Sequence, residues 1–413
     1  MKYQKDFTVT HKAAVLRSDP SAPANLLNED VCLPAAVIKL GSLENNIAWM
    51  QNYADARGVS LAPHGKTTMT PWIFQRQVAQ GAWAVGVGSA WQAKVAMEAG
   101  VPRVLMANQL VGKANMRLIA ELKAQHPSTL FLCCIDNLSN AQALSAFFSQ
   151  HGQTLDVLLE LGVPGGRCGC RSVGQAEQLA QDIVRLPGLR LQGIELYEGV
   201  MHGDDAQRKI EQFLRDAAGL LRELHRQRLF SGEEAILTGA GSSWYDVVCR
   251  VWGEESLPEN CRRVIRPGCY ITHDRGIYQD AQNAVLARDS YACDLAGELT
   301  SALELIALVQ SVPEPGRVIV NFGKRDAAFD AGLPQPIAHY RNGVLQESDV
   351  QQLTTQGVMD QHAMLSCPAD FPVQVGDILV FATSHPCLTF DKWKTLLVID
   401  DNYNVIETIE TSF

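Results

Sequence analysis

Short apolar runs alternate with longer amphipathic stretches between residues 59 and 270. The apolar runs have the length of strands, whereas the stretches between them repeat apolar residues at the spacing of one helix face. Gly or Pro stands at most of the joints, as in the AGVP sequence at 99–102. The pattern predicts strands at 59–63, 83–87, 103–107, 130–135, 155–161, 189–196, 235–238 and 261–265, and helices at 71–80, 91–99, 114–125, 140–150, 174–186 and 205–228.

This order of elements indicates a fold class. Strands that alternate with helices of this length are typical of parallel βαβ units. Eight strands within about 210 residues fit a (β/α)8 barrel, a fold that usually takes ~250 residues. A doubly wound open sheet is the alternative, but no Gly-rich dinucleotide fingerprint follows the first strand. We therefore predict an α/β protein built on a (β/α)8 barrel.

The pattern changes after residue 270. Short β-rich runs separated by Gly, Pro and Asp replace the helical periodicity, which predicts a separate all-β domain. Residues 1–34 contain Pro and no helical pattern, so we expect them to return to that domain. The predicted division is a barrel domain at 35–268 and a β domain made of 1–34 and 269–413. The expected strands after the barrel are 302–309, 317–320, 343–346, 376–381 and 395–399.

Composition and charge exclude several classes of function. The 413 residues include 35 Lys plus Arg and 45 Asp plus Glu, which gives a net charge of −10. This balance argues against a general nucleic-acid binder, because a phosphate backbone needs a basic surface, but it leaves room for one small anion. The longest apolar runs fall far short of the ~20 residues of a membrane span. We expect neither a membrane segment nor a signal peptide.

The cysteine count points to a compartment. Eleven cysteines, an odd number without the spacing of a disulfide framework, indicate free thiols in a reducing environment. We therefore expect a cytoplasmic protein in which most cysteines are buried as small apolar side chains.

Lys66 is the first candidate for chemistry. It lies in the sequence PHGKTT at 63–68, directly after the first predicted strand. In a barrel this is the rim that carries active sites. A partly desolvated lysine loses proton affinity and attacks carbonyl groups. A surface lysine in a loop is the alternative, and the residue alone does not decide between them.

The sequence TGAGS at 238–242 follows the seventh predicted strand. Small residues let backbone N–H groups approach a phosphate, and the serine hydroxyl adds a donor. Barrels often hold phosphate at the loops after strands seven and eight. A plain tight turn is the alternative, and both interpretations stay open at this point.

The sequence HPC at 385–387 is the third candidate. Alternate residues of an extended segment share one face, so His385 and Cys387 can converge on one ion. Imidazole and thiolate are ligands that zinc prefers. A turn with a buried cysteine and a hydrogen-bonded histidine is the alternative. Two protein ligands are also fewer than usual, so water, substrate or distant residues would have to complete a metal site.

Taken together, these motifs resemble the fold-type III pyridoxal-phosphate enzymes, the alanine-racemase-like group. The most similar branch contains D-serine dehydratase and D-threonine aldolase. This resemblance implies an N-terminal α/β barrel, a C-terminal β domain and a homodimer with the active site between barrel and β domain. The motifs that carry it run along nearly the whole chain: PHGKT at 63–67, RCG at 167–169, YEG at 197–199, TGAGS at 238–242, RPGCY at 266–270 and HPC at 385–387.

The resemblance also implies roles for individual residues. Lys66 would bind pyridoxal phosphate covalently and act as the catalytic base. His385 and Cys387 would hold Zn²⁺ or another divalent metal, as in the D-serine dehydratases, whereas the aldolases more often have an acidic residue at the second position. The implied cofactor-binding residues are Lys66, His64, Arg167, Tyr197, Thr238, Gly239, Gly241, Ser242 and Tyr270.

One departure bears on the reaction. Many members carry a histidine directly after Tyr-x-Gly, where this chain has Val200, and His202 follows two residues later. The departure weakens a retro-aldol mechanism that uses that histidine as a base. We therefore expect a lyase that converts D-serine, or a related β-hydroxy D-amino acid, to a 2-oxo acid and ammonia. A D-threonine-type aldolase is the alternative.

Overall fold

The computed structural model describes residues 12–16 and 22–413. The strand β1 (Ala35–Lys39) comes first in the chain and lies outside the barrel. Eight parallel strands then form one sheet in the order β2-β9-β8-β7-β6-β5-β4-β3. They are β2 (Ser60–Leu61), β3 (Val85–Val87), β4 (Arg103–Gln109), β5 (Leu130–Ile135), β6 (Leu155–Leu161), β7 (Leu189–Leu196), β8 (Ala235–Gly239) and β9 (Cys261–Ile265).

Hydrogen bonds between β2 and β3 close this sheet into a barrel. The Trp83 N–H donates to the Leu61 carbonyl at 2.7 Å, and the Gly86 N–H donates to the Pro63 carbonyl at 2.8 Å. A parallel bridge joins His64 to Gly86. The predicted barrel is confirmed, and closure excludes the doubly wound open sheet.

Helices cover the outside of the barrel. Two of them, at the start of the chain and after β8, were not expected. The second has the sequence YDVVCRVWGE, whose β-branched and aromatic residues indicate a strand as readily as a helix. The helices are α1 (Leu40–Ala56), α2 (Pro71–Gln80), α3 (Ala90–Glu98), α4 (Lys113–Gln125), α5 (Leu138–Gln150), α6 (Val173–Ile183), α7 (Ala206–Arg226) and α8 (Tyr245–Glu254).

Two layers of side chains fill the barrel interior. The layer toward the amino ends of the strands is apolar and consists of Ala62, Ala84, Leu105, Leu132, Leu158, Ile236 and Val264. Residues two positions further along a strand point to the same face. On four strands those residues are Cys134, Glu160, Thr238 and Arg266, and Glu195, two positions after Gly193 on β7, joins them in a second, mostly polar layer. The polar layer therefore lies under the carboxyl ends of the strands, the end at which barrels carry their active sites.

The remaining strands form a ten-stranded sheet in the order β13-β12-β16-β10-β1-β17-β18, with β11, β15 and β14 continuing from β10. The all-β texture predicted after residue 270 agrees with this sheet, but α9 (Ile277–Arg288), α10 (Ser290–Asp294) and α11 (Cys387–Phe390) also lie there. The strands are β10 (Leu303–Glu314), β11 (Arg317–Val320), β12 (Gln335–Arg341), β13 (Val344–Leu345), β14 (Thr354–Val358), β15 (Ala363–Ser366), β16 (Ile378–Ala382), β17 (Thr395–Ile399) and β18 (Val405–Glu410).

β1 belongs to this second sheet although it precedes the barrel. It pairs antiparallel with β10 and parallel with β17. Residues before it reach the same region, since the Val405 N–H donates to the Ala24 carbonyl at 2.8 Å. This pairing differs from the predicted division at residue 35. The expectation for residues 1–34 falls partly outside the described residues, at 1–11 and 17–21.

Two general expectations concern the whole chain. All eleven cysteines are free. In the described part of the chain, no helix is both long enough and apolar enough to cross a membrane.

Gly193 gives a test of the close contact between β7 and β8. A Cβ atom at Gly193 would lie 2.0 Å from the Ile236 carbonyl oxygen, which is backbone and cannot move aside. We expect Gly193→Ala to lower the free energy of unfolding by ~1–3 kcal/mol or more, as overpacking does. The matched control is Gly219→Ala in α7, where the nearest atom is 3.8 Å away. Replacing this helical glycine should stabilise the protein by ~0.5–1 kcal/mol.

Urea unfolding of the two variants measures both effects. Equal changes in the two variants would contradict the tight packing of β7 on β8.

Candidate active site

A cavity of about 400 Å³ opens at the carboxyl ends of the barrel strands. Residues at the ends of β2, β3, β4, β6, β7, β8 and β9, or just after them, contribute its wall, together with Tyr278 of α9. The barrel therefore brings together residues that lie as much as 200 positions apart in the sequence. Of the residues predicted for cofactor binding, the wall contains His64, Lys66, Arg167, Tyr197, Gly241 and Ser242.

Lys66 and His64 lie at the end of β2. Lys66 occupies a short 3-10 turn, Gly65–Thr67, and its side chain is accessible from the cavity. A Cβ atom at Gly65 would lie 2.8 Å from the Phe74 ring, so glycine lets this turn pack against α2. Burial, followed by the charge of Lys66, holds the pKa of His64 well below its ordinary value. No described group pairs with the buried Nδ1 of His64, so this atom is available to a bound molecule.

Arg167 and Tyr197 face each other across the cavity wall. The Arg167 guanidinium carbon lies 4.6 Å from the centre of the Tyr197 ring, a cation–π distance. Burial, and then the neighbouring Glu198, raises the pKa of Tyr197. The Tyr197 ring also packs against Gly241, where a Cβ atom would lie 3.1 Å from it. The arginine is thus stacked on a neutral phenol, with its charge facing the cavity.

Glu198 holds the loop that follows β8. Its carboxylate accepts hydrogen bonds from the N–H groups of Ala240 and Gly241, at 3.0 and 2.9 Å. Glu198 is fully buried, and this burial raises its pKa. The Ser242 hydroxyl oxygen accepts from the N–H of Gly268, at 3.2 Å, and so ties this loop to the loop after β9. The predicted phosphate loop is therefore held in place by hydrogen bonds to Glu198 and to the loop after β9.

Three of the predicted cofactor contacts lie outside the cavity wall. Thr238 is buried in β8, where its hydroxyl accepts a hydrogen bond from Arg266 at 2.7 Å. Gly239 packs against the Trp252 ring, which a Cβ atom would approach to 2.9 Å. The Tyr270 hydroxyl accepts from the Gln77 side chain at 3.0 Å, in the space between the barrel and α2. Thr238 and Gly239 lie within β8, where alternate residues point to opposite faces of the sheet, and the turn after β9 directs Tyr270 toward α2.

Arg266 forms the floor of the cavity. Its guanidinium is buried, pairs with the Glu195 carboxylate and donates to the Leu196 carbonyl at 3.0 Å. Burial, and then the charge of Glu195, raises the pKa of Glu160 to about 8. The Gln109 side chain donates a hydrogen bond to Glu160. The positive charge of Arg266 is thus balanced by the negative charge of Glu195, while Glu160 keeps its proton at neutral pH.

His385 and Cys387 are not among the residues that line the cavity, but Cys387 contacts two residues that do, Thr67 and Cys269. The His385 Nδ1 is 2.6 Å from an Asp330 carboxylate oxygen, and this contact leaves Nε2 free for a metal. The Cys387 Sγ lies 3.6 Å from the hydroxyl of Thr67, the residue after Lys66. A hydrogen bond from Cys269, and then contact with His385, lowers the pKa of Cys387 to about 5. The donor chemistry therefore fits a divalent metal beside Lys66.

A tight turn, and not the expected extended segment, brings this pair together. His385 has a positive φ of 56°, and Cys387 is the first residue of α11. The His385 N–H donates to the Asp274 carboxylate at 2.8 Å, which holds the unusual backbone in place.

Several residues of the wall have no role in the sequence interpretation, among them Asn108, Cys269 and Tyr278. Cys269 was visible as part of the RPGCY sequence, but only the structure shows that its Sγ lies 3.6 Å from that of Cys387. Tyr278 belongs to α9, a helix that the sequence pattern did not predict.

Glu160 gives a test of the buried charges. Its pKa is about 8 in the folded protein, against an ordinary value of 4.5. The folded state therefore keeps a proton that the unfolded chain releases, and the resulting stability is fully present below pH 4.5 and is lost as the pH rises through about 8. Glu160→Gln is neutral at every pH and can still accept from Gln109. We expect the free energy of unfolding to fall less between pH 5 and pH 9 in this variant than in the parent.

Urea unfolding across this pH range measures the difference. Glu121→Gln, at an exposed position of α4, is the control. If the parent and the Glu160 variant lose the same stability, the proton on Glu160 does not exist.

Comparison with known proteins gives two family matches. Residues 38–244, half of the chain, match the family "Alanine racemase, N-terminal domain", and residues 302–399 match the "Putative serine dehydratase domain". Among characterised proteins, D-threonine aldolase from Arthrobacter sp. is 27% identical over 394 residues, which is 94% of each chain. D-threo-3-hydroxyaspartate dehydratase from Delftia sp. strain HT23 is 30% identical over 191 residues, which is 46% of this chain and 50% of that protein.

Solved structures show the same fold. D-threonine aldolase from Filomicrobium marinum superposes with a TM-score of 0.76 at 23% identity, covering 95% of this chain and 98% of that chain. D-threo-3-hydroxyaspartate dehydratase has been solved as a histidine-to-alanine mutant and as a cysteine-to-alanine mutant, the latter in a metal-free form. The cysteine mutant superposes with a TM-score of 0.71 at 22% identity, covering 94% of this chain and 99% of that chain. Both its sequence and its fold place the chain in the alanine-racemase-like family of fold-type III pyridoxal-phosphate enzymes.

Proposed function

We propose that the protein is a pyridoxal-phosphate- and divalent-metal-dependent ammonia-lyase. Its substrate is D-serine or a related β-hydroxy D-amino acid, and its products are a 2-oxo acid and ammonia. The observation that carries this proposal is the position of Cys387, which contacts His385 and whose Sγ lies 3.6 Å from the hydroxyl of Thr67, the residue that follows Lys66. The relatives support the broader class, since both are named as enzymes that cleave or dehydrate hydroxylated D-amino acids.

The residues of the cavity fit pyridoxal phosphate. An accessible lysine amine, an unpaired imidazole nitrogen on His64 and a loop of small residues after β8 face a space of about 400 Å³. Arg167 and Arg266 add two positive charges to the wall, which suits an anionic cofactor and a substrate carboxylate. When bound, pyridoxal phosphate supplies an electron sink for the charge that develops at the substrate α-carbon.

Lys66 is the residue that moves the proton. Its amine faces the cavity, where its Nζ atom could accept the α-proton of a bound substrate. Arg266 does not share in this transfer, because the Glu195 carboxylate and the Thr238 hydroxyl fix its guanidinium. Its positive charge stays under the cavity through the reaction and favours negative charge above it.

His385 and Cys387 serve the leaving group. Hydroxide leaves poorly, and a divalent metal on this pair supplies a Lewis acid for the β-hydroxyl group. Asp330 orients the imidazole and Asp274 holds its backbone, so the pair is set before any metal binds. Racemisation needs no such metal, and a racemase would leave these four residues unexplained.

Two mutants of the relative support the same assignment. In D-threo-3-hydroxyaspartate dehydratase the replaced histidine and cysteine are two positions apart, as His385 and Cys387 are here, and the cysteine mutant was solved in a metal-free form.

A D-threonine-type aldolase is the second candidate. The observation in its favour is the match to D-threonine aldolase over 94% of the chain. The two reactions start from the same substrates but break different bonds. Elimination breaks the bond from Cβ to oxygen, whereas the retro-aldol reaction breaks the bond from Cα to Cβ. The identity of the products therefore separates the candidates.

A product assay tests the proposal. Purified protein loaded with pyridoxal phosphate and Zn²⁺ should release pyruvate and ammonia from D-serine in equal amounts, and a chelator should abolish the release. D-Threonine and D-3-hydroxyaspartate are assayed in parallel, with L-serine as the stereochemical control. Lys66→Ala should lose both the activity and the absorbance of the bound cofactor. Glycine and an aldehyde in place of the 2-oxo acid would establish the aldolase, and no product at any metal load would refute both.

Glu198 gives a second test. Glu198→Ala removes the acceptor of two loop N–H groups, and each unsatisfied buried donor costs ~1–3 kcal/mol. We expect pyridoxal phosphate to bind at least ~10-fold more weakly to this variant. Glu198→Gln keeps one acceptor oxygen and should show a smaller loss. Cofactor titration followed by absorbance measures both, and tighter binding by the alanine variant would show that the carboxylate competes with the phosphate.

A further inference from the structure

Cys269 and Cys387 meet at the edge of the cavity. Their Sγ atoms are 3.6 Å apart, although 118 positions separate the two residues in the sequence. Cys269 is in a 3-10 turn, Cys269–Ile271, which follows β9, and Cys387 begins α11 beside the second sheet. The Thr67 hydroxyl lies 3.7 Å from one sulfur and 3.6 Å from the other. The barrel and the second sheet thus each place one thiol at a single point next to Lys66.

The distance between these sulfurs fits a shared metal ion. Two thiolates bound to one tetrahedral zinc at ~2.3 Å each are roughly 3.8 Å apart. A disulfide would instead require about 2.05 Å. The observed 3.6 Å matches the first value within a few tenths of an ångström, with no movement of the backbone.

The imidazole of His385 completes a recognisable donor set. Two cysteines, one histidine and an open fourth position are a known arrangement of catalytic zinc. The contact between Asp330 and Nδ1 leaves Nε2 as the ligand atom. Cys269 also lines the cavity, so an open position on this metal would face the substrate.

We propose that Cys269 is a third protein ligand of the metal held by His385 and Cys387. The inference rests on the proposed function only in assigning a metal to that pair. A second thiolate cancels the remaining charge of a divalent ion and makes the site softer. The site should therefore prefer Zn²⁺ strongly over Mg²⁺ and Mn²⁺, and it should hold Zn²⁺ more tightly than a His-Cys pair can.

Closing the site requires the His385 imidazole and the Cys269 thiol to approach each other. Among the described residues, the three groups whose ligand atoms already lie within 4.8 Å of one another are Cys134, Glu160 and Glu195, so the imidazole of His385, which contacts Cys387, lies further than this from the Cys269 thiol. The other group is a poorer metal site, because Arg266 and Gln109 already hydrogen-bond to its carboxylates.

Cobalt spectroscopy tests the proposal without relying on activity. The protein loaded with pyridoxal phosphate is stripped of metal, reduced and refilled with Co²⁺, whose near-ultraviolet absorbance grows with the number of bound thiolates. We expect Cys269→Ser to lose about half of the intensity of the parent, and competition with a coloured chelator to show at least ~10-fold weaker Zn²⁺ binding. The control is Cys293→Ser, an exposed cysteine of α10, which should match the parent.

The variants separate this inference from the proposed function. If His385→Ala and Cys387→Ser bind metal as well as the parent does, the metal pair itself is wrong. If those two lose metal while Cys269→Ser keeps the parent's spectrum and affinity, only the third ligand is refuted. Cys269→Ala, which should lose as much intensity as the serine variant, guards against a serine oxygen acting as a ligand. Thiol titration of the unfolded parent should find eleven thiols, and nine would show a disulfide and overturn the proposal.

Discussion

The buried ion pair between Arg266 and Glu195 determines how the barrel rim and the cavity fit together. Arg266 extends from β9, donates to Thr238 on β8 and pairs with Glu195 on β7, so one guanidinium joins three neighbouring strands. Loss of either charge would leave the other buried without a partner, at a cost of ~3–5 kcal/mol. Glu160 adds no second negative charge, because burial keeps it protonated. The floor of the cavity is therefore rigid and electrically balanced before any ligand enters.

The barrel could be predicted from the sequence because its strands are continuous apolar runs, as expected for parallel strands covered on both sides. The runs at 130–135, 155–161, 189–196 and 261–265 coincide with the strands of the structure. The position of β1 could not be predicted in the same way. Its partners, at 303–306 and 397–399, lie far along the chain, and local periodicity carries no information about such distant pairing.

The candidate site likewise contains residues that the sequence predicts and contacts that only the structure shows. The motifs led to Lys66, Arg167 and the loop after β8, because these residues follow strands directly. The polar layer was also visible, since Glu160 and Arg266 each stand two residues after an apolar interior position. The contact of Cys269 with Cys387 had no sequence signal, because it depends on how the second sheet sits on the barrel.

The placement of β1 has a consequence for the growing chain on the ribosome. The strand is made first, but its two neighbours in the sheet emerge only after the whole barrel has been translated. At roughly 10 residues per second, the wait for β10 lasts about half a minute. During that time an apolar strand has unpaired edges next to α1 and is open to other nascent chains. The barrel can mature in this interval, whereas the part of the site that contains His385 and Cys387 forms last.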